Sequence, residues 1–229
     1  MKIKGLQKTT LLDFPGKVAC TVFTGGCNFR CPFCHNASLV LGADEVSDIS
    51  EESFFSFLSK RKGILDGVCV TGGEPLLQHD IIPFLEKIHT LGFAIKLDTN
   101  GWFYEKLKQI ISLGLVDHIA MDIKNTKEKY ALTAGLEDIS ENVFKSIELI
   151  MSCGVSYEFR TTVVRELHIE EDILNIAKMI SGAKEYYLQG FKDSGDLIGS
   201  GFSAHTEATM SSMLEAVRPY VNKCALRGV

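Results

Sequence analysis

The sequence predicts an α/β protein folded as an open, partial (β/α)6 barrel. Six short apolar, β-branched runs alternate with longer amphipathic stretches, the pattern of parallel strands joined by crossover helices. The runs are apolar almost continuously, as strands covered on both faces are. Polar or glycine clusters follow five of the runs, and the sixth leads into a group of cysteines. A doubly wound sheet would satisfy the alternation equally well. Delivery of polar groups from every strand end to one face favours the barrel, and six units are too few for an eight-unit closure.

The elements follow in order. Val18–Thr24 is the first strand and leads into Gly25-Gly26-Cys27. In Glu51–Arg61, Phe54, Phe55 and Leu58 fall at helical spacing. Gly67–Thr71 is a strand ended by Gly72-Gly73-Glu74, and Asp80–Leu91 is a helix with Ile81, Phe84, Leu85 and Ile88 on one face. Strand Phe93–Asp98 delivers Asp98-Thr99-Asn100 and precedes helix Phe103–Leu113. Strand His118–Asp122 delivers Asp122-Ile123-Lys124 and precedes helix Glu141–Ser152. Strand Val155–Val164 carries Arg160-Thr161-Thr162 and precedes helix Glu170–Ile180; Ala183–Gln189 ends at Gln189-Gly190. The barrel core thus covers about 17–192. A closing segment of about 193–229, with a helix near Glu207–Val217 and a short strand near Val221–Leu226, completes one expected domain of 1–229.

Composition narrows the class. Hydrophobic residues make up 45% of the 229 and charged residues 23%, as in an ordinary globular protein. The longest stretch free of Asp, Glu, Lys and Arg is Cys31–Ala43, too short for a membrane span, and no signal-peptide core follows Met1. The net charge of −5 argues against a nucleic-acid binder, which carries a basic stripe. We therefore expect a cytoplasmic protein with no membrane and no nucleic-acid partner.

Seven cysteines, an odd number, fit no disulfide framework in such a compartment. Cys27, Cys31 and Cys34 form C-x3-C-x2-C. Three incidental thiols rarely cluster in this way. Structural zinc wants four tetrahedral ligands; His35, adjoining Cys34, is poorly placed as the fourth, and no partner half-motif exists. An iron–sulfur cluster fits better. Such clusters usually take four cysteines, so three local ligands leave one iron open to a small molecule. Cys20, Cys69, Cys153 and Cys224 read as structural, with Cys20 and Cys69 acting as small hydrophobes within strands.

C-x3-C-x2-C with an aromatic residue before its third cysteine resembles the signature of radical S-adenosylmethionine enzymes. Leu11-Leu12-Asp13-Phe14-Pro15-Gly16 and Thr24-Gly25-Gly26-Cys27 through Asn36 are similar to the glycyl-radical-enzyme activases, most of all to the anaerobic ribonucleotide reductase activating proteins. The resemblance runs from about Leu6 to Gly228. It implies a partial barrel of the radical S-adenosylmethionine type and one 4Fe-4S cluster on Cys27, Cys31 and Cys34. It also implies that the open iron chelates S-adenosylmethionine, and that an electron from a flavodoxin- or ferredoxin-type donor cleaves the cofactor. The 5′-deoxyadenosyl radical so formed takes a hydrogen atom from a glycine of a glycyl radical enzyme. The cofactor carries the hard chemistry and the protein positions it. An oxygen-sensitive cluster implies an anaerobic cytoplasm.

The resemblance extends to the strand ends. Gly72, Gly73 and Glu74 are expected at the cofactor's amino group; helix initiation at Pro75 is the bland and compatible reading. Asp98, Thr99, Asn100, Asp122 and Lys124 are expected around the carboxylate and ribose, where a salt bridge or Asx turn would be the simpler account. In some activases the matching aspartates, threonine and a carbonyl, here that of Ala120, hold a monovalent cation, and oxygen ligands suit a hard ion. Gln189, Phe191, Phe33 and Asn36 are expected near the cofactor, with core packing the rival for the phenylalanines.

Arg160 is costly to bury unless paired. A pair with Glu158 inside the barrel is not expected, because only an edge strand would solvate both. Arg160 therefore reads as an inward group which, with Asp13 and His35, contacts the incoming glycine loop. A radical enzyme acting on a small molecule, or an electron-transfer module without catalysis, are the competing functions; the first needs a closed pocket with specific polar groups.

Overall fold

The computed structural model describes residues 1–229. Eight strands form one open sheet in sequential order: β1 (Ile3–Thr10), β2 (Ala19–Thr24), β3 (Gly67–Gly72), β4 (Ala94–Thr99), β5 (His118–Asp122), β6 (Ser156–Val163), β7 (Glu185–Gly190) and β8 (Lys223–Arg227). Every neighbouring pair from β2 to β8 is parallel, whereas β1 runs antiparallel to β2. β1 and β8 do not pair, so the barrel stays open between them. The six expected strands are all present. The short strand expected in the closing segment is β8, which adds a seventh parallel strand, and β1, unanticipated, forms the other edge.

The helices are α1 (Ala37–Leu41), α2 (Glu51–Ser59), α3 (Ile81–Thr90), α4 (Tyr104–Ser112), α5 (Tyr130–Ala134), α6 (Asn142–Ser152), α7 (Glu170–Met179) and α8 (Glu207–Val217). Their local signals are ordinary. Ser50 caps α2 by accepting the Ser53 amide at 3.1 Å, and Thr206 caps α8 by accepting the Thr209 amide at 3.2 Å. Ile81, Phe84, Leu85 and Ile88 bury one face of α3. The apolar core of 47 buried residues lies mainly between helices and sheet. Charged side chains from the strands turn the other way, into the lumen. No helix is long and apolar enough to cross a membrane.

The β1–β2 connection crosses the end of the barrel opposite the cysteines. Phe14, 2% exposed, lies there with its ring centroid 6.2 Å from that of His118, the first residue of β5. Asp13 therefore lies at the barrel floor, where it accepts a hydrogen bond from Thr21.

Candidate active site

Loops at the C-terminal ends of β2 to β7 enclose a cavity of about 260 Å³. Its wall includes Cys27, Cys31, Cys34, Phe33, His35 and Asn36 from the cysteine loop. Gly72, Gly73, Glu74, Asp98, Thr99, Asn100, Asp122, Lys124, Arg160, Thr162 and Gln189 come from the strand ends. Two of the expected residues lie elsewhere. Phe191 stands behind the wall with its ring 5.7 Å from that of His35, and Asp13 borders a second cavity.

The cysteine loop is anchored from below. Phe29 is buried in edge contact with Trp102 and Tyr130, at centroid distances of 5.8 and 6.5 Å. The Arg30 amide donates to the Ala134 carbonyl at 2.9 Å. Gly135, at φ +67°, lies so close to the Arg30 carbonyl that a Cβ would collide with it. Gly73 is held equally tightly: its missing Cβ would overlap the Gly26 carbonyl, while the Glu74 amide donates to that same oxygen at 2.9 Å.

Two hydrogen bonds tune the first thiol. The Phe29 amide lies 3.3 Å from Cys27 Sγ and Asn100 Nδ2 lies 3.9 Å from it; such contacts adjust the potential of a bound cluster. Burial pushes the Cys27 thiol up to about 12 and the Cys31 thiol up to about 11, Lys124 opposing the shift in both. No three His, Cys, Asp or Glu side chains stand close enough to share one metal ion. Cys27, Cys31 and Cys34 nevertheless line one wall of the cavity, and a set of three thiolates suits a 4Fe-4S cluster, whose irons each take one such ligand. The donor set thus fits the cluster.

Glu74 does more locally than the sequence indicated. Its carboxylate accepts from Thr99 Oγ1 at 2.9 Å, the Asn100 amide at 2.7 Å and the Leu76 amide at 3.0 Å. It binds the β3 loop to the β4 loop. Burial pushes this carboxyl up to about 7, against the pull of the three donors. Asn36 Nδ2 donates to the Gly72 carbonyl at 3.2 Å, tying the cysteine loop to β3.

Below the mouth runs a chain of alternating charge. Lys96 Nζ lies 2.8 Å from Asp98, Arg160 Nη1 3.1 Å from Asp98, Arg160 Nε 2.8 Å from Asp122, and Lys124 Nζ 3.0 Å from Asp122. Arg160 bridges the two aspartates, and Glu158 stands 4.0 Å away. Glu158 does face the lumen beside Arg160, contrary to the sequence-based argument. It is compensated by a partner from β8 instead of by water: Arg227 binds it bidentately at 2.7 and 2.8 Å and stacks on Tyr187. Thr99 does not join the two aspartates. Strand alternation turns its hydroxyl towards Glu74, and Lys96, Arg160 and Lys124 already neutralise the carboxylates that a monovalent cation would need.

Sequence reasoning missed Lys96, Glu158–Arg227 and His168. Lys96 carried the same signal as Arg160, a lone charge in an apolar strand. His168 Nε2 lies 2.7 Å from the Lys124 carbonyl and fixes that loop. Cys69, read as a small hydrophobe, is buried but faces the lumen, 3.9 Å from both Lys96 Nζ and Asp98 Oδ1.

The second cavity, of about 670 Å³, is the barrel lumen itself. It reaches from Gln7, Leu12 and Asp13 to Arg227 and Gly228, and shares Thr71, Asp98, Arg160 and Gln189 with the first cavity as a common wall.

An open parallel α/β barrel with a cysteine triad and polar groups at its C-terminal mouth defines an iron–sulfur enzyme class. Residues 21–180 match the family model described as the Radical SAM superfamily, and the chain belongs to that superfamily. Membership implies a 4Fe-4S cluster and S-adenosylmethionine. A Methanocaldococcus jannaschii protein named "Putative glycyl-radical enzyme activating enzyme" is 30% identical over 99% of this chain and 96% of its own length. A GTP 3′,8-cyclase of Helicobacter pylori is 27% identical over 68% of this chain, which spans 50% of that protein. Among solved structures, a domain of pyruvate-formate lyase-activating enzyme from Bacteroides vulgatus superposes with a TM-score of 0.59 at 17% identity. That match covers 71% of this chain and 99% of the other. SuiB of Streptococcus suis, bound to the precursor peptide SuiA, gives 0.70 at 14% identity over 91% of this chain and 48% of its own. These two show the fold.

Proposed function

We propose that the protein is a glycyl-radical-enzyme activase acting on an anaerobic ribonucleotide reductase. Cys27, Cys31 and Cys34 would hold the cluster, which when bound supplies the electron and the open iron for reductive cleavage of S-adenosylmethionine. Lys124 and Asp122 orient the cofactor from one side of the cavity. Gly72 and Gly73 bring backbone close on the other, and Asn100 and Phe29 keep Cys27 in place. Gln189 and Phe33 border the space left for the base. His35 stands at the mouth and Arg160 between the two cavities, positioned to order a chain that reaches the cofactor from the lumen. A flavodoxin- or ferredoxin-type protein is the expected electron donor.

The observation that carries this reading is the polar lumen, open between β1 and β8, that shares a wall with the cofactor cavity. A polypeptide loop can enter an open slot, whereas a small metabolite needs an enclosed pocket. The similarity to the Methanocaldococcus jannaschii protein along nearly the whole of both chains supports the activase part of this reading.

The test uses anaerobically reconstituted enzyme, dithionite and S-adenosylmethionine with the anaerobic ribonucleotide reductase of the same organism. A glycyl doublet in the electron paramagnetic resonance spectrum of the reductase is expected. Cofactor cleavage that leaves every glycyl radical enzyme of the organism without a radical, while a nucleotide or other metabolite is consumed, would replace this reading with the small-molecule one.

A further inference from the structure

Two of the most exposed large hydrophobic side chains in the molecule are adjacent. Leu11 is 72% exposed and Leu12 is 91% exposed. Single exposed leucines are commonplace, but three features set this pair apart. Their turn is fixed: the Leu12 and Asp13 amides both donate to Thr10 Oγ1 at 3.2 Å, Asp13 accepts from Thr21, and Phe14 is buried directly beyond. The leucines are thus displayed on a rigid support. Leu12 also borders the lumen, together with Gln7 on its own side of the slot and Arg227 on the other. Finally, the pair lies at the floor end of β2, with the cysteine loop at the other end.

Distance selects the occupant. β2 has six residues, so floor and mouth are separated by on the order of 15–20 Å at the rise of a strand. A ligand that touches Leu12 and also reaches Arg160 beside the cofactor cavity must span much of that length. An extended polypeptide of about five or six residues does so; a single metabolite does not.

We propose that Leu11 and Leu12 form the docking anchor for the polypeptide partner, gripping an apolar side chain of the segment that flanks the reacting glycine as it lies in the slot between β1 and β8. This rests on the activase reading above. The reacting glycine then lies at the Arg160 end of the lumen, and the anchor fixes its register. Apolar anchors at the end of a polar groove give affinity, while the groove itself, with its charges already paired internally, tolerates the main chain.

The double variant Leu11→Ser/Leu12→Asp tests the anchor, with Leu12→Ala as a milder companion. Both positions are solvent-exposed, so iron content and uncoupled S-adenosylmethionine cleavage should match wild type. Glycyl radical yield is then measured against the concentration of full-length reductase. The half-saturating concentration should rise at least roughly tenfold in the double variant, the loss expected for two apolar contacts, with an unchanged plateau and an intermediate value for Leu12→Ala. Unchanged half-saturation in both variants overturns the proposal. So does a wild type that sediments as a dimer, a double variant that sediments as a monomer and equal half-saturation, which would make the pair a self-association surface. A wild type that produces no glycyl radical sinks the activase reading instead, and is distinguishable because it needs no variant.

Discussion

Replacing Arg160 by methionine removes the one group that touches both aspartates while keeping most of the side-chain volume. The Arg160 side chain is 14% exposed, and its guanidinium binds Asp122 at 2.8 Å and Asp98 at 3.1 Å. Breaking a buried pair by deleting one partner costs about 3–5 kcal/mol. Here each aspartate retains one ammonium, Lys96 at 2.8 Å and Lys124 at 3.0 Å, so the cost should lie near the lower end, about 3 kcal/mol. The pH dependence gives the sharper check. Burial pushes both carboxyls up; the Arg160 charge, followed by the neighbouring ammonium, more than reverses this and holds both below the ordinary carboxylate range. A carboxyl held low in the folded state contributes stability above its unfolded pKa of about 4, and that contribution is lost as pH falls. Without Arg160 both carboxyls shift upwards and less remains to be lost. The stability difference between wild type and variant should therefore be about 3 kcal/mol at pH 7 and shrink as the carboxylates protonate below about pH 4. Urea unfolding of both proteins, followed by circular dichroism across that range, measures it. A difference under about 1 kcal/mol at pH 7 would mean that the bridge carries little. A difference undiminished at low pH would assign the effect to packing.

Cys27→Ser, Cys31→Ser or Cys34→Ser should each abolish iron binding after anaerobic reconstitution, whereas Cys20, Cys153 and Cys224 should be individually dispensable; stoichiometric zinc in place of iron would count against the cluster. Gly135→Ala should lower iron content severalfold although it changes no proposed ligand, because the added methyl collides with the Arg30 carbonyl immediately before Cys31; full iron loading, read by absorbance and iron assay, would refute that. Lys124→Ala should weaken S-adenosylmethionine binding, seen as loss of its effect on the reduced cluster's spectrum, with iron content retained. Glu74→Gln should destabilise the protein by about 1–3 kcal/mol, since an amide offers one acceptor oxygen where the carboxylate serves three donors; an unchanged denaturation midpoint would show that the loops are held otherwise.

The strand ends were legible because the chemistry at each is short-range. Asp98-Thr99-Asn100 and Asp122-Ile123-Lys124 follow apolar runs directly, and parallel topology gathers the ends of such runs on one face. What the sequence concealed was pairing over distance. Glu158 and Arg227 are 69 residues apart, and nothing local to either marks the other. β1 was hidden because Ile3–Thr10 is an edge strand with Gln7 and Lys8 at exposed positions and a buried lysine, Lys4, among its apolar residues, which breaks the apolar continuity expected of covered strands. β8 was legible only as an approximate strand, since no loop pattern announces that it joins β7 in parallel. Cys69 was misread for a related reason: an apolar run cannot say which of its two faces is helix-covered and which opens on a lumen.

That distinction between faces also explains how the fold divides its labour. An eight-unit barrel fills its interior with branched apolar side chains and gains stability from both faces of the sheet. Here the interior is lined by Asp13, Lys96, Asp98, Glu158, Arg160 and Arg227, three acids and three bases, and the large apolar core lies mainly outside it, beneath the helices. Buried ion pairs are poor substitutes for packed hydrocarbon as a source of stability. A lumen that is charged, internally neutral and open along one side is therefore costly to maintain as scaffold. It makes sense as a channel whose groups satisfy one another until an incoming main chain, itself polar and uncharged, lies among them. By the same argument, apolar substitutions of paired residues, such as Glu158→Leu combined with Arg227→Leu, should leave the fold intact or more stable. They should nevertheless slow transfer to a protein partner more than cleavage of the cofactor, because they strip polar groups from the lumen wall and leave the cofactor cavity untouched.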